Sequence, residues 1–530
     1  MRGKDNGVKL SLLLGAVAVK HFVGLEDQII DSIHYDSRTV TPGGLFVAIQ
    51  GHRCDGYAYI EEAIEKGAVA VLTEKQWSGP PLISVAQVED ARLALAAVSS
   101  AFYGNPSREL CMIGITGTNG KTTTAYFLES ILNAAGFKVG VIGTINYRFG
   151  GQSFTNPVTT PESLDLMRLL RKMVDRETTH VVLEVSSHAL DLHRVAFCDF
   201  DVGVFTNLSR EHLDYHGDME TYWECKRKLC VNQLEVGSKR RRAAAVTNWD
   251  DPRGKELYTE VSVPCLRTGL SDESEIRAQD INLTIEGTSG KVQTPVGDFD
   301  FTSSLLGNHN VYNILSATGV AITLGIPLET IQKGIKDLQG VPGRLECVAN
   351  NLGLSVFIDY AHTPDALENV LTVLRRLTSG RMITIFGCGG DRDRDKRPMM
   401  GATAGRLSDL VVLTSDNPRT ESPEAILAGI VEGTAAVQSH KYESRELAKG
   451  FETGGYVVEP DRRKAIALGL SAASPGDTVI IAGKGHETYQ IIGETTIPFD
   501  DRVEARRGLN RISECGMRNW GIGVFNFSSL

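Results

Sequence analysis

No stretch of this 530-residue chain approaches the ~20 consecutive apolar residues of a membrane-crossing helix, so no membrane partner is expected. Cysteine is present but unorganised. The nine cysteines (54, 111, 198, 225, 230, 265, 347, 388, 515) form no C-x-x-C pair and have no histidines at zinc-ligand spacing, which excludes a disulfide scaffold or a structural zinc and suits a reducing compartment. Positive charge is short as well. With 55 Lys and Arg against 65 Asp and Glu the net charge is -10, and the longest basic run is "KRRR" at Lys239 to Arg242, so nucleic acid is excluded as a partner.

What is present is enough for about three domains of ~150 residues, each with its own core. Residues 1–108 mix short strand and helix patterns ("LFVAIQG", "YIEEAIEKGAVAVLT") and predict a small N-terminal α/β domain. Residues 109–342 alternate apolar runs ("VGVIGTI", "HVVLEVSS", "DVGVFTNLS", "AAAVTN") with helix-like stretches, the pattern of a parallel sheet with crossover helices. Residues 343–507 repeat that alternation ("LSVFIDYA", "RMITIFGCGG", "DLVVLTSDNPR", "DTVIIAGKGHE") and predict a C-terminal Rossmann-like α/β domain. Residues 508–530 show no clear period and read as a tail. The fold class is therefore α/β in three domains.

The most informative segment is "GITGTNGKTTTAYFLESIL", residues 114–132. After a buried strand, Gly114, Gly117 and Gly120 let the backbone turn so that its N–H groups face an anion, and the following helix adds its positive end. Lys121 would meet the β- and γ-phosphates and Thr122 would bind Mg²⁺. The spacing departs from the G-x-x-x-x-G-K-[ST] pattern, because Ile115 stands where the first glycine belongs. A tight structural turn is the competing reading. Phosphate binding also bears on the N-terminus, where "MRGKDNGVKLSLLLGAVAVK" imitates a secretion leader. An ATP user finds no ATP outside the cell, so a first helix from Leu10 to Val19 in a cytoplasmic protein is expected instead.

"TGTNGKTTT", with its shifted glycine, resembles the ATP loop of the Mur ligase family, which joins amino acids to peptidoglycan precursors. "LEVSSHALDLHR", "FTNLSREHLDYHGDMETYWECK", "LLGNHNVYN", "GVPGRLE" and "DYAHTPDAL" follow in that family's order, and the resemblance covers roughly residues 25–507. It implies an N-terminal UDP-binding domain, a central ATP-binding domain, a C-terminal amino-acid-binding domain and a monomer. It also implies amide formation through an acyl phosphate. For ATP it implies Gly117, Thr118, Asn119, Gly120, Lys121, Thr122, Thr123, Asn310, Asn313, Arg344 and Asp359.

The same resemblance makes Thr122, Glu184, His212 and Lys226 ligands of Mg²⁺, with Lys226 carbamylated, and gives Lys121, Glu184, His212 and Lys226 the catalytic roles. Without it, Lys226 on "METYWECKRKL" would read as a solvated helix-face lysine. A UDP-N-acetylmuramoyl dipeptide is implied at Tyr35, Ser37, His52, Arg53, Cys54, Thr159, Thr160, Ser186 and Arg194. Two departures bear on it: Leu192 stands where Gln is frequent, and Val158 where Asn is common.

The acceptor amino acid is read from "VVLTSDNPRTE", where an apolar strand ends in a loop at the ligand-binding end of such a sheet. By resemblance, D-N-P-R marks the members that add meso-diaminopimelate. Asp416, Asn417, Pro418 and Arg419, with Arg392, Gly483 and Glu487, form its pocket. Arg419 would grip the distal carboxylate and Glu487 the distal ammonium. Two alternatives stay open on the residues alone: a folate-polyglutamate type ligase with the same domain plan, and a P-loop regulator that binds ATP without ligating.

Overall fold

The computed structural model describes residues 7–51, 54–79, 83–155, 158–447 and 450–516. The chain divides into two compact units, Met1–Asp280 with Gly290–Phe301 and His309–Asp337, and Ile281–Ser289 with Thr302–Asn308 and Leu338–Leu530.

The first unit contains the N-terminal and central sheets. In the N-terminal sheet the strand order is Val19–Val23, Ser84–Val88, Ala68–Thr73, Gly44–Val47, Ser32–His34. Helix Ala91–Phe102, capped by the Asp90 side chain at the Leu93 amide, buries Leu95 and Val98. The first helix is shorter than the sequence pattern predicts: it covers Leu10–Leu14, ends at Gly15, and gives way to strand Val19–Val23. Helix period holds only for the buried pair Leu10 and Leu13. Beyond the weak helix former Gly15, the β-branched Val19 and Val23 pair with Val88 and Val85 instead.

In the central sheet, Val139–Ile142, His180–Glu184, Cys111–Thr116, Val202–Phe205, Ala244–Asn248 and Cys265–Gly269 run parallel in that order. These strands read as continuous apolar runs because both faces are covered; Val181, Val182 and Leu183 are fully buried. The order has a functional consequence. Cys111–Thr116 lies between His180–Glu184 and Val202–Phe205, so the glycine loop, Glu184 and Thr206 all leave the sheet at adjacent carboxyl ends, where α/β sheets bind ligands. Helix Lys121–Ala134 follows the loop directly and buries Phe127, Leu128, Ile131 and Leu132.

In the second unit, Ser355–Asp359, Thr478–Ala482, Met382–Phe386, Leu410–Leu413 and Gly455–Val458 form a parallel sheet, with Glu346–Cys347 antiparallel at one edge. The late strand Thr478–Ala482 is inserted between the first two long ones. "AGKGHE" and "DNPR" therefore leave the same end of one sheet, on either side of strand Met382–Phe386. The expected tail begins as structure: helix Asp501–Gly516 runs past Arg507, with Ala505 and Leu509 buried and Ile512 packed against the same core. That four-then-three spacing is a helical period.

Arg462 and Asp501 form an ion pair with both side chains fully buried, at 2.7 Å, and Arg462 also donates to the carbonyls of Ser415 and Ala482. Removing one partner strands a charge out of water, which costs about 3–5 kcal/mol. Asp501→Ala is therefore expected to lower the melting temperature of the second unit, read by calorimetry, far more than Asp500→Ala does; equal shifts would refute the assignment.

Candidate active site

The turn after Cys111–Thr116 needs glycine for a local reason. Gly120 has φ +88° at the helix N-cap, and a Cβ there would lie 2.4 Å from the Asn313 side-chain oxygen. At Gly117, φ +141°, a Cβ would lie closer still, 1.9 Å from the Thr206 hydroxyl. The loop is fastened on its other side: Thr206 Oγ1 donates to the Asn119 carbonyl at 2.6 Å, and the Asn119 amide donates to Asn207 Oδ1 at 2.9 Å. Thr118 Oγ1 accepts from the Ser209 amide and lies 3.3 Å from the Tyr222 hydroxyl. Lys121 folds back and donates to the carbonyls of Gly117 and Thr118, both at 2.8 Å.

Behind the loop, Thr122 Oγ1 donates to Glu184 Oε2 at 2.9 Å. Glu184 is 2% exposed and also accepts from the Thr144 amide and hydroxyl, at 3.0 and 2.8 Å. Thr144 escaped the sequence reading, although "IGTIN" follows an apolar strand at its carboxyl end and the logic applied to Glu184 would have found it.

Lys226 is 1% exposed, not the solvated lysine its helix pattern suggests. Its Nζ donates to the Gly117 carbonyl at 2.8 Å and lies 4.4 Å from the centre of the Tyr222 ring. Burial, reinforced by the charge of Lys121, pushes its pKa well below the usual lysine range. His212, with left-handed φ +56°, is held below its usual pKa first by burial and then by the charge of Lys121, which favours the neutral imidazole. Its ring meets those of His188 and Tyr222. Among the described residues, no group of three or more His, Cys, Asp or Glu is placed to hold a metal.

Asn310 and Asn313 are buried on helix Asn308–Thr323; Asn313 donates to Asn310 Oδ1 and accepts from Thr124. Thr123 is buried on the first turn of the loop helix. Thr160 Oγ1 donates to the Glu184 carbonyl and accepts from the Ser186 amide, while Arg194 donates to the Thr160 carbonyl. Thr159 is 3.2 Å from the Thr144 hydroxyl. Thus Thr122, Thr144, Thr159, Thr160, Glu184, Ser186 and Arg194 form one hydrogen-bonded group.

Glu162 ties this group to the N-terminal domain. Its carboxylate is 2.9 Å from Arg92 and 3.5 Å from Arg194, and Arg92 also donates to the Gln50 carbonyl. Arg92 carried no motif by which sequence could single it out. Tyr35 donates to Asp165 at 2.6 Å. Ser37 is buried and turns instead to Glu62, and Cys54 is exposed. His52 and Arg53 lie outside the described residues, as do residues 156 and 157 of "NPVTT". Leu192 is the half-buried cap of helix Ser187–Asp191, and Val158 is exposed.

In the second unit, Asp359 is buried and accepts from the Leu345 and Ala361 amides; burial raises its pKa against the opposing charge of Arg344, which lies over the Tyr360 ring. Lys484, fully buried and absent from the expected pocket, gathers Asp416, Asn417 and Glu487 at 3.4, 3.1 and 2.9 Å. Glu487 also accepts from Asn417. The Glu487 carboxylate thus already faces a resident ammonium. Arg419 is half-buried and donates to the Gly390 carbonyl, while Arg392 is exposed on the adjoining loop. Gly483, at φ +114°, passes 3.7 Å from Asp416 when given a Cβ, ordinary contact.

Phosphate chemistry is what the first of these arrangements can do, and known proteins show of which kind. Residues 29–103 match the Mur ligase family catalytic domain, 115–321 the Mur ligase middle domain and 343–485 the Mur ligase glutamate ligase domain. The chain belongs to the Mur ligase family. A UDP-N-acetylmuramoyl-L-alanyl-D-glutamate--2,6-diaminopimelate ligase of Geobacter metallireducens is 48% identical over 487 residues, covering 92% of this chain and 95% of that protein. The enzyme of the same name from Geobacter sulfurreducens is 47% identical over 90% of this chain and 94% of its own. A solved structure of a ligase of that name superimposes with a TM-score of 0.68 at 30% identity, covering 96% of this chain and 99% of that one.

Lys121→Ala is expected to reduce phosphate release by about 10²–10³, the usual cost of removing one preorganised group from developing charge. A variant keeping more than a tenth of wild-type turnover would remove the loop lysine from the mechanism.

Proposed function

We propose that the protein adds meso-diaminopimelate to UDP-N-acetylmuramoyl-L-alanyl-D-glutamate at the expense of ATP, in the cytoplasm. The observation that carries the ligase reading is Lys226: a protein that only bound ATP would have no use for a lysine sunk beside the phosphate loop, 1% exposed and bonded to the Gly117 carbonyl, with its pKa pushed well below the usual range.

The chemistry runs in two displacements. A carboxylate oxygen of the dipeptide attacks the γ-phosphorus, and ADP leaves. The free amine of diaminopimelate then attacks the resulting acyl phosphate carbon; the amide bond forms, inorganic phosphate departs with the C–O electron pair, and the amine gives up a proton. Lys121 leaves the Gly117 and Thr118 carbonyls to meet the phosphates. The group around Thr160, Ser186 and Arg194 holds the dipeptide, and Arg194 supplies the charge that orients its carboxylate.

A neutral Lys226 amine can take up CO₂, losing a proton and becoming an anionic carbamate. That change turns a cation which would repel Mg²⁺ into an oxygen ligand, and completes a donor set with Thr122, Glu184 and His212. Mg²⁺ bound there supplies neutralisation of the phosphate and carboxylate charges. At the other end, Asp416, Asn417 and Arg419 receive diaminopimelate, with Arg419 facing the distal carboxylate that lysine lacks.

Phosphate release should require the UDP-muramoyl dipeptide and diaminopimelate together; release with either alone would refute the ligase. L-Lysine should be worse than meso-diaminopimelate by a factor on the order of 10⁴, because it leaves the arginine unpaired. Arg419→Ala should cost roughly 2–5 kcal/mol in kcat/KM with diaminopimelate and much less with lysine. An unchanged ratio between the two would refute this use of Arg419.

The carbamate is tested separately. Lys226→Ala should be folded and nearly inactive, with partial recovery in a short carboxylic acid, and native mass spectrometry of the active protein should show the mass of CO₂ added at Lys226. An unmodified Lys226 in the active, Mg²⁺-loaded enzyme would overturn it.

A further inference from the structure

Arg419 is held in an unfavourable conformation. Its φ of +52° lies in the left-handed region, which is unfavourable for a side-chain-bearing residue and persists only where neighbours over-determine it. Two neighbours do so from opposite directions. The hairpin of strands Tyr489–Ile492 and Thr495–Pro498 clamps the backbone: the Arg419 amide donates to the Ile491 carbonyl at 3.1 Å, and the Arg419 carbonyl accepts from the Gly493 amide at 2.7 Å. On the other side the loop after strand Met382–Phe386 is joined to it, the Gly390 amide donating to the Asn417 carbonyl at 2.9 Å and the Gly390 carbonyl accepting from the Arg419 guanidinium at 2.8 Å.

What fixes that second loop is a chain of side-chain contacts outside the pocket itself. Asp391, also left-handed at φ +52°, accepts from the Thr420 amide and hydroxyl at 3.1 and 2.9 Å. The Asp391 amide donates to Glu421 Oε1 at 2.6 Å. Both Glu421 oxygens are gripped by Arg397, at 3.0 and 3.1 Å, in the forked geometry that is the most directional of charge pairs. Arg397 is 4% exposed and sits on the first turn of helix Lys396–Leu407, so the fork is rooted in a packed element rather than in another loop.

We infer that the Arg397–Glu421 pair, acting through Asp391 and Thr420, is a positioning device that sets where the Arg419 guanidinium stands and thereby determines which amino acid the enzyme accepts. Neither residue touches the pocket groups Asp416, Asn417 or Glu487 among the described contacts; their influence is on the frame that carries Arg419. The inference rests on the reading of Arg419 as the group that faces the distal carboxylate.

The test is a double-mutant cycle on the full-length enzyme, with kcat and KM measured for meso-diaminopimelate and for L-lysine. Glu421→Gln is expected to raise KM for diaminopimelate about tenfold or more, the scale of effect produced by misplacing a binding group by a fraction of an ångström to an ångström. kcat should stay within about threefold, and the KM values for ATP and the muramoyl dipeptide should not move. Lysine kinetics should change little, so selectivity falls.

In an Arg419→Ala background the same Glu421→Gln change is expected to have no further effect on diaminopimelate KM, because the group it positions is gone. An equal loss in both backgrounds would overturn the inference, as would equal losses for diaminopimelate and lysine. Arg397→Lys should fall between wild type and Glu421→Gln, since one ammonium cannot reproduce the fork. Should Glu421→Gln fail to fold, Asp391→Asn replaces it in the cycle with the same expected pattern, its carboxylate lying exposed at the loop surface. The two readings fail differently. If Arg419→Ala leaves selectivity unchanged, the use of Arg419 is wrong; if it destroys selectivity while Glu421→Gln and Asp391→Asn do not alter it, only the positioning role is wrong.

Discussion

Withdrawing an ammonium group from water costs several kcal/mol unless polar partners replace the lost solvent, and this protein does so in each of its two units. In the first unit Lys226 has a backbone carbonyl and an aromatic face, and its pKa falls well below the usual lysine range. In the second unit Lys484, equally sequestered, is surrounded by two carboxylates and an amide oxygen. The same element is thus used in opposite senses. A poorly compensated lysine loses basicity, whereas a fully compensated one becomes a fixed part of the wall.

The strand order makes both arrangements possible. Glu184, the glycine loop and Thr206 converge because their strands are neighbours, although they lie up to ninety residues apart in the chain. In the second unit the late strand Thr478–Ala482 carries Lys484 and Glu487 into the middle of the sheet, where the Asp416 loop can reach them.

That topology also explains what the sequence could tell. The glycine loop is legible because strand, glycines, Lys-Thr and helix are contiguous, and each is a local signal. "DNPR" is legible as a motif, but the meaning of its arginine depends on residues 391, 397 and 421, which carry ordinary surface charges in a linear reading. Lys226 illustrates the limit most clearly: its helix presents Tyr222, Trp223, Cys225 and Lys226 inward, and nothing in their spacing separates a buried lysine from a solvated one. Lys484 was in plain view within "AGKGHE", three residues before its partner Glu487, yet its other two partners, Asp416 and Asn417, are set by folding alone. The helix boundaries that differ, at Leu14 and Gly516, are cases where one glycine or a short period carries the signal and packing decides the length.

The clamp on Arg419 has an evolutionary consequence. Its backbone is gripped by the 489–498 hairpin and its guanidinium by the loop at Gly390, so, with Arg419 used as proposed, substrate choice is encoded jointly in three segments separated by long intervals of sequence. A replacement at position 419 alone leaves a frame shaped for an absent side chain, and a replacement in the frame alone leaves a misdirected arginine. Both single steps lead downhill. A lineage changing its amino acid would have to cross that epistatic gap by recombining or replacing the whole C-terminal sheet with its loops, rather than by accumulating point changes within the pocket.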